Sequence, residues 1–93
     1  MGLKFEWDSS KARSNAAKHG VLFEEAATLF GDALAITIPD PLHSLLEERF
    51  VTIGRSENGK ILVVAATERG GNIRLISARQ ANRREKQQYE KTD

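Results

Sequence analysis

Residues 48–79 read ERFVTIGRSENGKILVVAATERGGNIRLISAR, and this stretch decides the fold. Phe50, Val51 and Ile53 mark a strand over Glu48–Gly54. Ser56-Glu57-Asn58-Gly59 follows, and Asn-Gly tolerates the positive φ of a tight hairpin turn. Ile61–Glu68 is apolar enough for a central strand. Gly70-Gly71-Asn72 is a second turn, and Ile73–Arg79 a third strand, with Ile73 and Leu75 on one face and Arg74 and Ile76 on the other. Turns this short join only antiparallel neighbours, so the segment is a meander.

Upstream, Leu3, Phe5 and Trp7 alternate with Lys4 and Glu6 as a short strand. Trp7, at its end, suits core packing. Asp8 is a good N-cap, and the helix it opens runs through Ala12, Ala16 and Ala17 to Gly20, a good stop. A second helix is predicted over Phe23–Phe30, with Glu24 and Glu25 in the first turn, where the helix dipole favours acids. Leu34–Ile38 is strand-like, Pro39-Asp40-Pro41 breaks it, and residues 39–46 read as a loop. Downstream, Gln80–Lys91 has a polar, basic, helical composition. The order β-α-α-β-β-β-β-α predicts an α+β fold in one domain, 1–93.

Composition narrows the function classes. There is no cysteine, so disulfides and thiolate metal sites are excluded. Two histidines, His19 and His43, are too few for an ordinary zinc site, and no metal or cofactor is expected. No apolar run approaches the roughly 18 residues of a membrane span. The opening MGLKFEWD lacks the apolar stretch of a signal peptide, and Glu6 stands where myristoylation wants Ser or Thr, so a cytoplasmic protein is expected.

The net charge of +1 conceals an asymmetry. Residues 1–50 carry five Lys/Arg against eight Asp/Glu, and residues 51–93 carry nine against five. Arg69, Arg74, Arg79, Arg83, Arg84 and Lys86 face a single acid, Glu85, in their own stretch. Arginine matches phosphate geometry in a bidentate way. The patch therefore suits nucleic acid, although a solvated surface has the same composition.

Landmarks along the chain carry a resemblance. Phe5-Glu6-Trp7-Asp8 is followed by Lys11, Asn15 and Lys18-His19-Gly20-Val21, then by Phe23-Glu24-Glu25-Ala26. Glu48-Arg49-Phe50, Thr52-Ile53-Gly54 and Leu62-Val63-Val64 come next. Thr67-Glu68-Arg69, Ile73-Arg74-Leu75-Ile76-Ser77-Ala78-Arg79, Ala81, Arg83, Glu85 and Tyr89 complete the pattern. Together they resemble the BrnT family of type II toxins over nearly the whole chain. The resemblance implies a RelE-like fold and a ribonuclease that arrests translation. It also implies neutralisation by a BrnA-type antitoxin, which alone carries the contact to operator DNA, in a heterotetramer. Leu22 departs from a good helix cap, and Leu42-His43-Ser44-Leu45-Leu46 is apolar enough to be a partner contact.

Cleaving RNA without a metal requires a base for the ribose 2′-hydroxyl, charge to stabilise the phosphorane, and an acid for the leaving 5′-oxygen. Arg79 and Arg83, four residues apart, are expected to flank one phosphate, with Arg74 and Arg69 as further contacts; the bland alternative pairs Arg79 with Glu48 or Glu68. Candidates for acid–base work are His19, Glu48 and Tyr89. Each has a structural alternative: a helix C-cap for His19, an ion pair with Arg49 for Glu48, and packing for Tyr89, whose other functional reading is base stacking. Lys18, Arg84 and Lys86 are candidate RNA contacts, and His43 is incidental. The competing functional readings are a non-catalytic nucleic-acid-binding module using the Arg69–Lys86 patch, and an inactive scaffold for the antitoxin.

Overall fold

The computed structural model describes residues 3–43 and 47–91. Strand β1 (Phe5–Glu6) leads into helices α1 (Ser9–His19) and α2 (Phe23–Thr28), followed by a 3-10 turn at Leu29–Gly31. Strand β2 (Ile36–Pro39) and a 3-10 turn at Pro41–His43 precede strands β3 (Arg49–Arg55), β4 (Ile61–Arg69) and β5 (Asn72–Gln80), and helix α3 (Arg83–Glu90) follows. The α+β class and the meander are as the sequence indicates. The five strands lie in the order β1-β5-β4-β3-β2.

Local chemistry fixes the joints. Asp8 accepts a hydrogen bond from the Lys11 amide at 3.0 Å, and Gly20 closes α1 with φ 69°. The β3–β4 turn is held by Ser56 and Gly59, whose amides donate to Lys60 and Ser56 carbonyls at 2.8 and 2.9 Å. At the β4–β5 turn, Gly70 and Gly71 both take positive φ, 59° and 84°, the geometry a two-residue hairpin needs. Leu22 caps α2 without a side-chain bond.

Several boundaries differ from the sequence reading. The α-helical part of α2 ends at Thr28 and tightens into the 3-10 turn. Strand β2 starts at Ile36, because Asp32 accepts the Leu34 amide and turns the chain before it. The stretch taken as a loop begins inside β2 and contains the second 3-10 turn; Ser44, Leu45 and Leu46 lie outside the described residues. The last helix starts at Arg83, since Gln80 still pairs with Leu62 and Asn82 supplies the cap.

Two features had no sequence signal. Strand β1 pairs with β5 in parallel, Phe5 opposite Ile73 and Glu6 opposite Arg74. Strand β5 carries a bulge: Ala65 pairs with Ser77 and Ala66 with Leu75, leaving Ile76 extra. Strict alternation from Leu75 would send Ser77 and Arg79 to the core face. The bulge shifts the phase by one. Ala78 is buried instead, and Arg79 opposes Val63 on the other face.

Helices α1 and α2 cover one sheet face. Val21, Phe23, Ala26 and Leu29 pack there against Leu62, Val64, Ala66, Leu75 and Ala78. Trp7 meets Phe23 edge-on at 5.8 Å, which places it against the core as expected. Asn15 ties α1 to the sheet. Its amide nitrogen donates to the Val21 and Ala78 carbonyls at 3.0 and 2.8 Å, and its oxygen accepts the Ala78 amide at 3.0 Å. One side chain thus stands in for a neighbouring strand where β1 has ended. On the opposite face, α3 covers only one end, through Ala81 and Tyr89 packed on Ile53 and Val63. Among the described residues no helix covers the remainder of that face.

Candidate active site

The open sheet face holds a groove of about 500 Å³. Val51, Val63, Ala65 and Ile76 form an apolar floor, with Ile38 and Pro39 at the β2 side and Ser77 at the β5 side. Two charged pairs of residues border it: Asp40 and Arg49, and Arg79 and Glu85. Arg49 faces the same side as Val51, two residues on, and opposes Thr67 in the ladder.

Arg79 is the best-defined group. Its Nη1 and Nη2 donate to the two carboxylate oxygens of Glu85 at 2.7 and 2.8 Å. Glu85 is itself fixed by the capping box of α3, accepting the Asn82 amide at 2.9 Å. The hydrogen bonds from Arg79 hold the Glu85 carboxyl below its ordinary value against the opposing effect of burial. The same bonds raise Arg79, which stays cationic at any working pH. The Arg79 side chain remains 41% exposed, so solvent and a ligand can reach it. Of its five N–H bonds, Glu85 and a long contact to the Gln80 carbonyl at 3.4 Å use three. The others, on Nε and Nη2, have no hydrogen-bond partner among the described residues. Such a guanidinium is oriented before any substrate arrives.

The other expected residues are dispersed. Arg74 is on the open face, two strands from Arg49 across Thr67, and donates to Glu6 at 2.9 Å. Asn72 donates to the same carboxylate at 3.1 Å, and these two bonds hold Glu6 below its ordinary value. Arg69 is exposed and reaches Glu47 at 3.4 Å. Arg83, Arg84 and Lys86 are exposed on α3, outside the groove lining. The expected helical pairing of Arg79 with Arg83 does not form, because Arg79 belongs to β5 and only Arg83 to α3. Arg79 pairs with Glu85 rather than with Glu48 or Glu68.

Glu48 lies beside Phe50, Glu68 and Ile73 in a separate hollow, and Arg49 pairs with Glu47 at 3.7 Å instead. Tyr89 is 3% exposed, and its hydroxyl donates to Asp32 at 2.6 Å. The Arg55 guanidinium lies 5.9 Å from its ring centre. Burial raises Asp32, but the bonds from Tyr89 and from the Arg55 and Leu34 amides outweigh it and hold the carboxyl below its ordinary value. The bond to Asp32, followed by burial, raises the Tyr89 hydroxyl. Lys18 and His19 line a shallow hollow beside α1 with Lys11, Ser14, Asn15, Ile76 and Ser77.

Of the arginines that the sequence reading singled out, Arg79 lines the groove, and Arg49, which was read only as an ion-pair partner of Glu48, lines it too. A signal for Arg49 existed: it shares strand phase with Val51 and Ile53. Among the described residues there is no cluster of three or more His, Cys, Asp or Glu side chains that could hold a metal, and no helix is long and apolar enough to cross a membrane.

Residues 7–85 match a family model described as the ribonuclease toxin BrnT of type II toxin-antitoxin systems. The chain belongs to the BrnT family. The crystal structure of the Brucella abortus ribonuclease toxin BrnT is similar over 88% of this chain and 100% of that chain, with a TM-score of 0.69 and 26% sequence identity. No curated protein matches the chain significantly. The BrnT match covers all of the groove and both guanidinium groups that border it. It also implies a protein antitoxin as partner, as type II systems require.

Proposed function

We propose that this BrnT-family chain is an endoribonuclease that cuts RNA in the open-face groove without a metal, and so arrests translation. The observation that carries this reading is the Arg79–Glu85 pair at the groove border, oriented by a capping box and still open to solvent. Arg79 and Arg49 contact the scissile phosphate. The ribose 2′-oxygen attacks phosphorus and the P–O5′ bond breaks. The products are a 2′,3′-cyclic phosphate and a 5′-hydroxyl. Charge builds on the phosphoryl oxygens in between, and fixed cations stabilise it without reorganising.

Glu85 is a positioning residue here, since its carboxylate is engaged by Arg79. Of the three residues expected to serve as acid or base, His19 adjoins the groove, sharing Ile76 and Ser77 with it. It takes the proton-transfer role, worth about 10²–10⁴-fold. Glu48 lies in a separate hollow, and the Tyr89 hydroxyl is engaged by Asp32. Arg83, Arg84 and Lys86 add long-range attraction for the RNA backbone.

A BrnA-type antitoxin silences the enzyme by covering the groove, in a complex of two toxins and two antitoxins. Sedimentation of the purified complex as a plain heterodimer would remove that stoichiometry. The activity is tested by incubating the purified chain with single-stranded RNA in excess EDTA. The expected result is cleavage with 5′-hydroxyl and cyclic-phosphate ends. Cleavage that requires an added divalent ion, or none at all, overturns the reading.

A further inference from the structure

Beside the groove, in the hollow that also holds His19, lie two lysines that the proposed proton transfer does not use. Ile76 and Ser77, at the β5 bulge, form part of the groove wall and also part of the hollow against α1. That hollow is about 210 Å³ and is bordered on its far side by Lys11, Ser14 and Lys18. These three follow a spacing that places them along one side of α1. The hollow and the groove therefore share a wall at the bulge. Strand β1 covers β5 only at Ile73 and Arg74, so the sheet edge past that point is bordered by α1. The three Asn15 hydrogen bonds fix α1 to β5 at Ala78 and set the distance between lip and groove.

Charge distinguishes this lip from the arginines of the sheet. Arg69, Arg74 and Arg79 are each held by a carboxylate. Lys11 and Lys18 are exposed; the Lys11 charge acts on Asp8 beside the stronger effect of the Lys11 amide, but neither lysine forms a close ion pair among the described residues. Their ammonium groups are available to a ligand, and Ile76 offers an apolar surface between the two sites.

We propose that the α1 lip is a backbone-binding subsite, in which Lys11 and Lys18 hold phosphates flanking the cut, and that the substrate is a single strand crossing the sheet edge at the Ile76 bulge. The inference rests on the reading that RNA occupies the groove. A stacked duplex is too stiff to follow a path from a sheet face over its edge onto a helix. A single strand bends freely and exposes bases to apolar side chains.

The test measures binding of the full chain to 2′-deoxy-substituted, uncleavable oligonucleotides by fluorescence anisotropy over a range of salt. Each phosphate contact on a single strand contributes about 0.7 to the slope of log K against log salt. The Lys11→Gln, Lys18→Gln double variant should lower the slope by about 1.4 on a longer strand and leave a dinucleotide unaffected. An unchanged slope, or an equal loss on both lengths, overturns the subsite. A duplex of the same sequence that binds as tightly, with the same sensitivity to the variant, overturns the single-strand assignment. Failure of the parent reading is seen separately, in the wild-type cleavage assay with EDTA. Cleavage with an unchanged slope removes only the lip, and a lowered slope without cleavage removes only the nuclease. Wild-type protein that binds no strand removes both.

Discussion

Replacing Asn15 by Ala should destabilise the chain more than any surface change. Asn15 is 7% exposed and makes three hydrogen bonds, two of them to the edge of β5. A net value of about 1 kcal/mol each gives about 3 kcal/mol. The Val21 carbonyl and both Ala78 groups are also left facing the gap, and an orphaned buried group costs about 1–3 kcal/mol. Water entering from the neighbouring hollow recovers part of this, so the expected loss is about 3–5 kcal/mol. A 93-residue domain has roughly 5–14 kcal/mol in total. Urea unfolding should show a lower midpoint with an unchanged slope, and Tm should fall by roughly 15–25 °C.

Asn15→Asp is the second arm. Its carboxylate still accepts the Ala78 amide but faces two carbonyl oxygens, which favours the protonated form in the folded state. A group raised on folding contributes its stability below its unfolded pKa and loses it as pH rises through the folded value. This variant should therefore be weak at neutral pH and partly recover on acidification. A loss below about 1 kcal/mol for Asn15→Ala, or a pH-independent Asn15→Asp, refutes the claim that this side chain replaces a strand neighbour.

Other outcomes follow from the same contacts. Tyr89→Phe removes the bond to Asp32 and should cost about 2 kcal/mol by urea unfolding, as expected for a bond to a charged group; a large fall in kcat with little change in stability would return Tyr89 to the chemistry. Asp32 and Glu85 are both lowered on folding, so their contribution is complete above the ordinary carboxylate range near pH 4 and is lost as pH falls through their folded values. Asp32→Asn with Glu85→Gln should flatten the acid limb of midpoint against pH, and an unaltered limb contradicts this. Gly54→Ala would place a Cβ 3.0 Å from Ala35 Cβ and 3.4 Å from Leu29 Cδ1, so overpacking of about 1–3 kcal/mol is expected. Ala35→Gly should restore part of it in the double variant, and simple additivity would show that the two do not touch.

Local signals were legible in the chain, and long-range ones were not. Asp8, Gly20, Asn58-Gly59 and Gly70-Gly71 announce their joints because backbone geometry there depends on one or two adjacent residues. The parallel pairing of β1 depends on contacts far along the chain, and nothing in Phe5-Glu6 specifies it. The bulge at Ile76 is equally silent in composition, yet it decides whether Arg79 enters the core or faces the groove. The basic run from Arg69 to Lys86 pointed toward phosphate. It overstated the convergence, because strand phase and ion pairing sort those six side chains onto separate surfaces. Arg49 was read only as an ion-pair partner of Glu48 because it lies among acids, and the strand pairing brings it to the groove that Arg79 borders. Glu85 was read as the lone acid in a basic patch. Its place at the third position of α3, with Asn82 as cap, makes it the group that orients Arg79.

Single-turnover RNA cleavage by alanine variants of Arg49 and Arg79, beside variants of Arg83 and Arg84, tests the groove assignment most directly. The groove arginines should each lose about 10²-fold or more, the usual effect of removing a fixed donor to developing charge, while the α3 arginines change the rate only by a few-fold and mainly through binding. Near-normal rates for the folded Arg49 and Arg79 variants, with activity abolished by Arg83→Ala or Arg84→Ala, would contradict the account.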